Sequence, residues 1–252
     1  MSLSTRIARS FGRSFESYDQ AATPQLRIAE NLAERLSRAG APTRFAKGFE
    51  FGCGTGALTR ALGARFAFDA LCLNDLTMQA ATTAQSVGAG FIAGDIRAID
   101  WPERPDLIAS SSVLQWIEAP ETLIQRLAKA LNKAGWLALS GFGPAQFQEL
   151  SRLGCPPQAP GLRDAQAMRD ALAALPDITV FDCAQTQQTL WFDTPRDALR
   201  HLRETGVNAA ASRTWGKRDL HDFSARYIRR FGQNGRVPLS YHPVWLIAQK
   251  RA

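Results

Sequence analysis

The chain has 252 residues, of which 45% are hydrophobic and 21% are charged, so it is typical of a folded globular protein rather than a disordered one. Its net charge of +7 suggests an anionic partner but does not distinguish a nucleic acid from an acidic protein or a small acid. It contains no apolar run long enough to cross a bilayer and no secretory signal. The four cysteines have neither CxxC nor zinc spacing. We therefore expect a reduced, cytoplasmic protein without a metal.

The first 40 residues predict a helical unit. Its first apolar residues fall on one helical stripe: Ile7, Phe11, Phe15 and Tyr18. Thr23 and Pro24 then predict the N-cap and first residue of a second helix, which ends at Gly40. We interpret residues 1–40 as an N-terminal lid on the domain that follows.

Strands and helices alternate from residue 45 to residue 141. The predicted strands are 45–51, 70–74, 90–93, 106–111 and 136–141. The predicted helices between them are 57–66, 77–87 and one that begins near Pro120 and ends before Gly135. This alternation indicates βαβ units and a parallel sheet, whose strands end at one shared edge. We expect this core, residues 41–150, to bind a ligand at that edge.

The pattern is weaker after Pro144. A helix is predicted near 162–175, followed by a strand-like stretch at 178–192. Two further helices, 195–205 and 218–231, precede a last buried strand at 242–249. Residues 195–240 are therefore predicted to be a helical insertion before the last strand. Such a segment often covers an active site, although packing alone would also account for it.

The most informative segment is FEFGCGTGA, residues 49–57. Gly52, Gly54 and Gly56 follow a strand and precede a helix, where glycine allows backbone to approach a ligand closely. A dinucleotide-binding turn would have a glycine where this chain has Ala57, a tolerated substitute, so the glycines alone leave a dehydrogenase open. The acid before them, Glu50, suits a ligand with an ammonium and a sulfonium better than a pyrophosphate.

Two further acids follow the next strands. Asp75 ends the second strand 19 residues after Gly56, where a carboxylate can accept both hydroxyls of a ribose. Asp95 follows the third strand. With the motif Glu50-x-Gly52-x-Gly54-x-Gly56, this arrangement resembles the class I S-adenosylmethionine (SAM)-dependent methyltransferases.

That resemblance implies an α/β, Rossmann-like class I methyltransferase fold. Its sheet would have seven mostly parallel strands with helices on both faces. It also implies that Asp95 contacts the adenine amine of SAM. The implied cofactor-binding residues are Glu50, Gly52, Cys53, Gly54, Gly56, Asp75, Leu76, Asp95, Ile96 and Ser111.

The turn after the fourth strand bears on the methyl acceptor. It reads SSVLQW (111–116) and lacks the Asn/Asp-Pro-Pro-aromatic sequence of nucleic-acid amino-methyltransferases, which argues against a nucleic-acid substrate. Together with four other segments, it resembles the biotin-pathway malonyl-acyl-carrier-protein O-methyltransferases over nearly the whole chain. Those segments are SFGRSFESYDQAA (10–22), SGFGPAQFQEL (140–150), HLRETGVNA (201–209) and PLSYHPVWLIA (238–248).

The resemblance implies one methyltransferase domain over 1–252 that methylates the free carboxylate of a malonyl thioester, early in biotin synthesis. The malonyl group would be carried by acyl carrier protein or coenzyme A. A malonyl carboxylate is ionised at pH 7, so the reaction needs no general base, triad or metal. It needs in-line positioning in a water-poor site.

Six residues become candidates for the acceptor side of the site. Tyr18 matches the tyrosine of the family's N-terminal motif and is the candidate catalytic residue, with packing in its apolar stripe as an equal alternative. Gln115 and Trp116 are expected to line the methyl pocket, although Trp116 could equally belong to the core. Phe142 would form the acceptor wall. His201 and Arg203 are candidate carboxylate anchors, although an Arg on such a helix is more often only solvated.

The insertion is strongly basic. Residues 196–236 contain ten Lys and Arg against four Asp and Glu. A basic patch would steer an acidic carrier protein, but it could also contact RNA or a membrane surface. The remaining alternatives are a SAM-dependent methyltransferase of another small molecule, a SAM-binding assembly factor without turnover and, last, a nucleic-acid enzyme.

Overall fold

The computed structural model describes residues 22–205 and 216–252. The predicted helix that contains Tyr18 lies outside them. The strands are β1 (Arg44–Phe51), β2 (Ala67–Asp75), β3 (Gly90–Ala93), β4 (Leu107–Ser110), β5 (Trp136–Phe142), β6 (Ile178–Gln185), β7 (Gln188–Phe192), β8 (Val237–Tyr241) and β9 (Pro243–Lys250). The helices are α1 (Thr23–Arg38), α2 (Ala57–Gly63), α3 (Ala81–Ser86), α4 (Pro120–Ala130), α5 (Gln148–Arg152), α6 (Ala165–Ala173), α7 (Pro195–Glu204) and α8 (Lys217–Phe231).

Seven strands form the main sheet in the order β3-β2-β1-β4-β5-β9-β6. The five strands from β3 to β5 are parallel, and β9 runs antiparallel between β5 and β6. The mostly parallel seven-stranded sheet expected from the sequence is therefore confirmed. The strand order reverses at β1, which pairs with β2 on one side and β4 on the other. In open α/β sheets, ligands bind beyond the strand ends at this switch point.

Helices cover both faces of this sheet. Successive residues of β5 show this, because side chains alternate between the two faces of a strand. Trp136 and Ala138 belong to one apolar cluster, which also contains residues of α1 and α2. Leu137 and Leu139 belong to a second cluster, which contains residues of α4 and α6. The expected helices on both faces are confirmed.

The region before β9 differs from the sequence prediction. The strand-like stretch 178–192 is two strands, β6 in the main sheet and β7 outside it. Residues 195–240 are not wholly helical, because the segment ends in β8, which pairs with β7 in a separate antiparallel sheet. Strand β8 has only five residues and contains Pro238, and a proline within a short run argues against a strand.

Smaller differences concern the ends of helices. Ala22, rather than Thr23, occupies the N-cap position of α1, and no side chain caps the helix there. The short helix α5 was not predicted.

Nowhere in the described ranges is a helix long and apolar enough to cross a membrane.

Candidate active site at the carboxyl ends of the parallel strands

A cavity lies at the edge of the sheet where β1 to β4 end. Nine of the ten predicted cofactor-binding residues line it, and the exception is Gly56, which is the N-cap of α2. Other residues that line the cavity and were not predicted from the sequence as cofactor ligands include Gln25, Asn74, Thr77, Arg97 and Val113.

The glycine-rich turn brings backbone to the floor of this cavity. Gly52, Gly54 and Gly56 have φ values of +66°, +49° and +87°, a left-handed region that other residues adopt only at a cost. A Cβ atom on Gly52 would lie 2.2 Å from the Cγ2 atom of Val113. Gly52 therefore allows the turn to pack directly against the loop that follows β4.

Glu50 is a buried carboxyl group at the end of β1. The hydroxyl of Thr59 donates a hydrogen bond to its Oε2 atom at 2.8 Å. Burial, reinforced by the nearby Asp75 carboxylate, raises the pKa of Glu50 to about 8. Loss of water disfavours the charged form of an acid, and a positively charged ligand group would restore that form. Glu50 is therefore suited to bind a cation.

Asp75 connects two loops at the end of β2. Its Oδ2 atom accepts from the Gly54 N–H at 2.9 Å, and its Oδ1 atom accepts from the Thr77 N–H at 2.8 Å and hydroxyl at 2.9 Å. Burial raises the pKa of this carboxyl, and these hydrogen bonds oppose that rise. Because a carboxylate has about four acceptor positions, Asp75 can hold the glycine-rich turn and still accept a ligand hydroxyl.

Asp95 lies beyond the end of β3 and is paired with Arg97. The guanidinium Nη2 atom lies 2.6 Å from Oδ2, and Nε lies 2.9 Å from Oδ1. Asn74 fixes the neighbouring loop through hydrogen bonds to the carbonyls of Ile92 and Gly94. A ligand at this end of the cavity would therefore meet an Asp95–Arg97 pair rather than a free carboxylate.

The loop after β4 forms the opposite wall. The Ser111 hydroxyl accepts from the Ser140 hydroxyl at 2.9 Å. Ser112 has a φ of +60°, and its buried Oγ atom has no hydrogen-bond partner among the described residues. Trp116 and Ile117 add apolar surface to this wall. The wall therefore combines apolar side chains with two serine hydroxyls.

The remaining acceptor-side candidates in the described ranges do not line this cavity. The Gln115 side chain turns back to donate to the Ser112 carbonyl at 2.6 Å. Phe142 packs against Tyr241, with 6.1 Å between ring centroids. His201 Nε2 lies 2.7 Å from the Tyr241 hydroxyl, and burial lowers the pKa of that imidazole. Arg203 is exposed on α7. Tyr18 lies outside the described residues, so its role stays a prediction.

Comparison with known proteins identifies the family of this chain. Residues 49–139 match the family model described as a methyltransferase domain. A malonyl-[acyl-carrier protein] O-methyltransferase of Bacteroides thetaiotaomicron is 32% identical, and the alignment covers 98% of each chain. The chain belongs to the malonyl-[acyl-carrier protein] O-methyltransferase family. A relative of the same name from Acinetobacter baylyi is 33% identical over 97% of this chain and 96% of that protein. Another, from Bacteroides fragilis, is 32% identical over 97% of this chain, which spans 50% of that protein's length.

Solved structures support the fold of this family member at low sequence identity. Phosphoethanolamine N-methyltransferase 2 of Haemonchus contortus, solved with phosphomonomethylethanolamine and S-adenosylhomocysteine, has a TM-score of 0.59 and 13% identity. The alignment covers 100% of this chain and 61% of that one. The YcgJ protein of Bacillus subtilis has a TM-score of 0.56 and 14% identity over 88% of this chain and 98% of that one. These similarities establish a methyltransferase fold.

Proposed function

We propose that this protein transfers a methyl group from SAM to the free carboxylate of a malonyl group carried by acyl carrier protein. The product would be a methyl ester formed early in biotin synthesis. The observation that carries the proposal is the buried Glu50 carboxyl beside the glycine-rich turn, in a chain whose full-length relatives are named for this reaction.

The residues that line the cavity fit SAM. Glu50 would accept hydrogen bonds from the ammonium of its amino-acid end, and Asp75 would accept one from a ribose hydroxyl. The end of β3, with Asp95 and Ile96, would hold the adenine. The absence of a Cβ at Gly52 allows the glycine-rich turn to pack against Val113 in the wall of this cavity.

When bound, SAM supplies an electrophilic methyl on a sulfonium, and a carboxylate oxygen forms the new bond as the carbon–sulfur bond breaks. Because the acceptor is already ionised at pH 7, no side chain has to remove a proton. The protein's contribution is to align the two groups and exclude water. Val113, Trp116 and Ile117 supply apolar surface for this purpose, and Tyr18 is proposed to bind the reacting groups through its hydroxyl.

We assign the acceptor side of the site to the outer segments of the domain. Residues 1–40 were predicted to be a lid. Because α1 packs on the sheet with Ile28, Leu32 and Leu36 fully buried, we propose the lid role for the residues that precede it. In the described part of the insertion, α7, α8 and β8 contribute nothing to the lining of the cavity. We therefore propose that residues 195–240 contact the malonyl group and its carrier rather than SAM.

The test is methyl transfer from methyl-labelled SAM to malonyl-acyl carrier protein, with acetyl-acyl carrier protein as the control and malonyl-coenzyme A as a second acceptor. We expect base-labile label on malonyl-acyl carrier protein and none on the acetyl control, because only the malonyl group has a free carboxylate and a methyl ester is cleaved by base. Label on malonyl-coenzyme A would show that the carrier protein is not required. If the protein binds SAM but labels no malonyl thioester, the proposal is wrong. The protein would then act on another small molecule or serve as a SAM-binding assembly factor.

A further inference from the structure

Gln25 is a buried amide that no motif singled out. It lies in the first turn of α1, its side chain is only 5% exposed, and it lines the same cavity as Glu50 and the glycine-rich turn. Its Oε1 atom has no hydrogen-bond partner within residues 22–205 and 216–252. A buried polar atom without a partner is costly, so its place in a cavity wall suggests that a ligand group pairs with it.

The position of α1 restricts which part of a ligand Gln25 can reach. The Trp245 Nε1–H donates to the Ile28 carbonyl at 3.1 Å, which fixes the helix to β9. Helix α1 also packs against α2 and β5. It therefore covers the β5 and β9 half of the sheet, on the other side of β1 from the strands that end in Asp75 and near Asp95.

This placement favours one end of SAM. If the acids after β2 and β3 hold the nucleoside, as the proposed function requires, the amino-acid end extends toward Glu50 and the end of β4. Gln25 approaches the cavity from that half of the sheet. The partnerless hydroxyl of Ser112 also lies in this part of the cavity wall.

The chemistry of an amide suits that end of the ligand. An amide offers an acceptor oxygen and a donor NH2 group, and rotation by half a turn exchanges them. The amino-acid end of SAM presents an ammonium, which donates, and a carboxylate, which accepts. Glu50 can serve only the ammonium when it is ionised, whereas an amide can serve either group.

We propose that Gln25 binds the amino-acid end of SAM through its side-chain amide and so is a cofactor-binding residue contributed by α1. The identity of the ligand rests on the proposed function. The proposed contact between SAM and α1 does not depend on which acceptor is methylated.

The test compares ligands with and without the amino-acid end. Gln25→Met keeps the length of the side chain and removes the amide. We expect the Kd of S-adenosylhomocysteine to rise about 10- to 100-fold, the range for a lost hydrogen bond to a charged group. The Kd of 5′-methylthioadenosine, which lacks the amino-acid end, should change by less than about twofold. Arg27→Met, on an exposed position of the same helix, is the matched control and should leave both values unchanged.

Two results would overturn the proposal. Equal weakening of both ligands would mean that Gln25 only shapes the cavity wall. An unchanged Kd for S-adenosylhomocysteine with a raised KM for malonyl-acyl carrier protein would place Gln25 on the acceptor. If Gln25→Met does not fold, as judged by its thermal melt, Gln25→Ala takes its place with the same expectations. Because the readout is binding, it remains decisive even if the malonyl substrate is wrong.

Discussion

Glu50 is proposed to bind the ammonium of SAM, and without that cation its carboxyl is mostly protonated at pH 7. Its pKa is about 8 because burial removes water and Asp75 adds a like charge. The group is therefore mostly protonated at pH 7. An ammonium beside it would favour the ionised form and release the proton. If Glu50 binds the ammonium as proposed, the binding of SAM depends on pH.

We expect the binding of SAM at pH 7 to release close to one proton, roughly 0.9 for a pKa near 8. Below pH 8 the affinity should rise with pH, because the binding-competent ionised form becomes more populated. Calorimetry in buffers of different ionisation enthalpy measures the release directly. Glu50→Gln keeps the shape and the acceptor for Thr59, and it should bind SAM more weakly with no such release. Binding by the wild-type protein without proton release would remove Glu50 from the ammonium site.

The turn at Gly52 depends on its contact with the loop that follows β4. Gly52 and Gly88 have almost the same φ, +66° and +67°, so a side chain at either position carries a similar backbone strain. They differ in their surroundings. A Cβ at Gly52 would collide with Val113, whereas a Cβ at Gly88 would meet nothing within 4 Å.

We therefore expect Gly52→Ala to lower the free energy of unfolding by about 1–3 kcal/mol more than Gly88→Ala, the range for overpacking, and to weaken SAM binding. Urea denaturation measures the first effect and calorimetry the second. Val113→Ala removes the colliding methyl, so the double variant should recover much of the lost stability. Equal losses in the two glycine variants would show that strain alone, not the contact with the loop after β4, requires glycine at position 52.

The features that the sequence predicted best are those set by short stretches of chain, namely the order of the elements and the glycine-rich turn. The strands β1 to β5 alternate with helices in order, and the glycine-rich motif specifies its own turn. Nine of the ten predicted cofactor-binding residues therefore line the cavity. Gln25 was missed because a polar residue on an amphipathic helix usually faces water. In the folded chain α1 packs against α2 and β5, and Gln25 is buried in the wall of the cavity.

Most acceptor-side candidates in the described ranges do not line the cavity, because their positions depend on tertiary packing. Gln115 follows β4 in sequence, but its side chain turns toward the Ser112 carbonyl and not into the cavity. His201 is bonded to Tyr241, a residue of β8, which the sequence did not reveal as a strand. Without the pairing of β7 with β8, nothing in the sequence could show where α7 would lie.

For the whole molecule, the relevant property is the distribution of its positive charge. On α8, two arginines have structural contacts: Arg226 donates to the Leu153 carbonyl at 2.6 Å, and Arg230 donates to the Arg152 carbonyl at 3.0 Å. Other cations on this helix, including Arg218 and Arg229, are exposed. An exposed basic helix in the segment proposed to meet the carrier would attract an acidic protein over a range limited by salt.

We expect the KM for malonyl-acyl carrier protein to rise several-fold between low and high salt, roughly 50 and 300 mM, while the KM for SAM changes little, because only the carrier is steered by long-range charge. The double variant Arg218→Glu, Arg229→Glu should raise the carrier KM about 3- to 10-fold at low salt with kcat retained, since these side chains would act on encounter rather than on chemistry.

Lys133→Glu is the matched control, because Lys133 is exposed before β5, at the edge of the sheet opposite the cavity. If Lys133→Glu has the same effect, net charge and not α8 attracts the carrier. If neither salt nor the α8 variant changes the carrier KM, the carrier does not meet this helix.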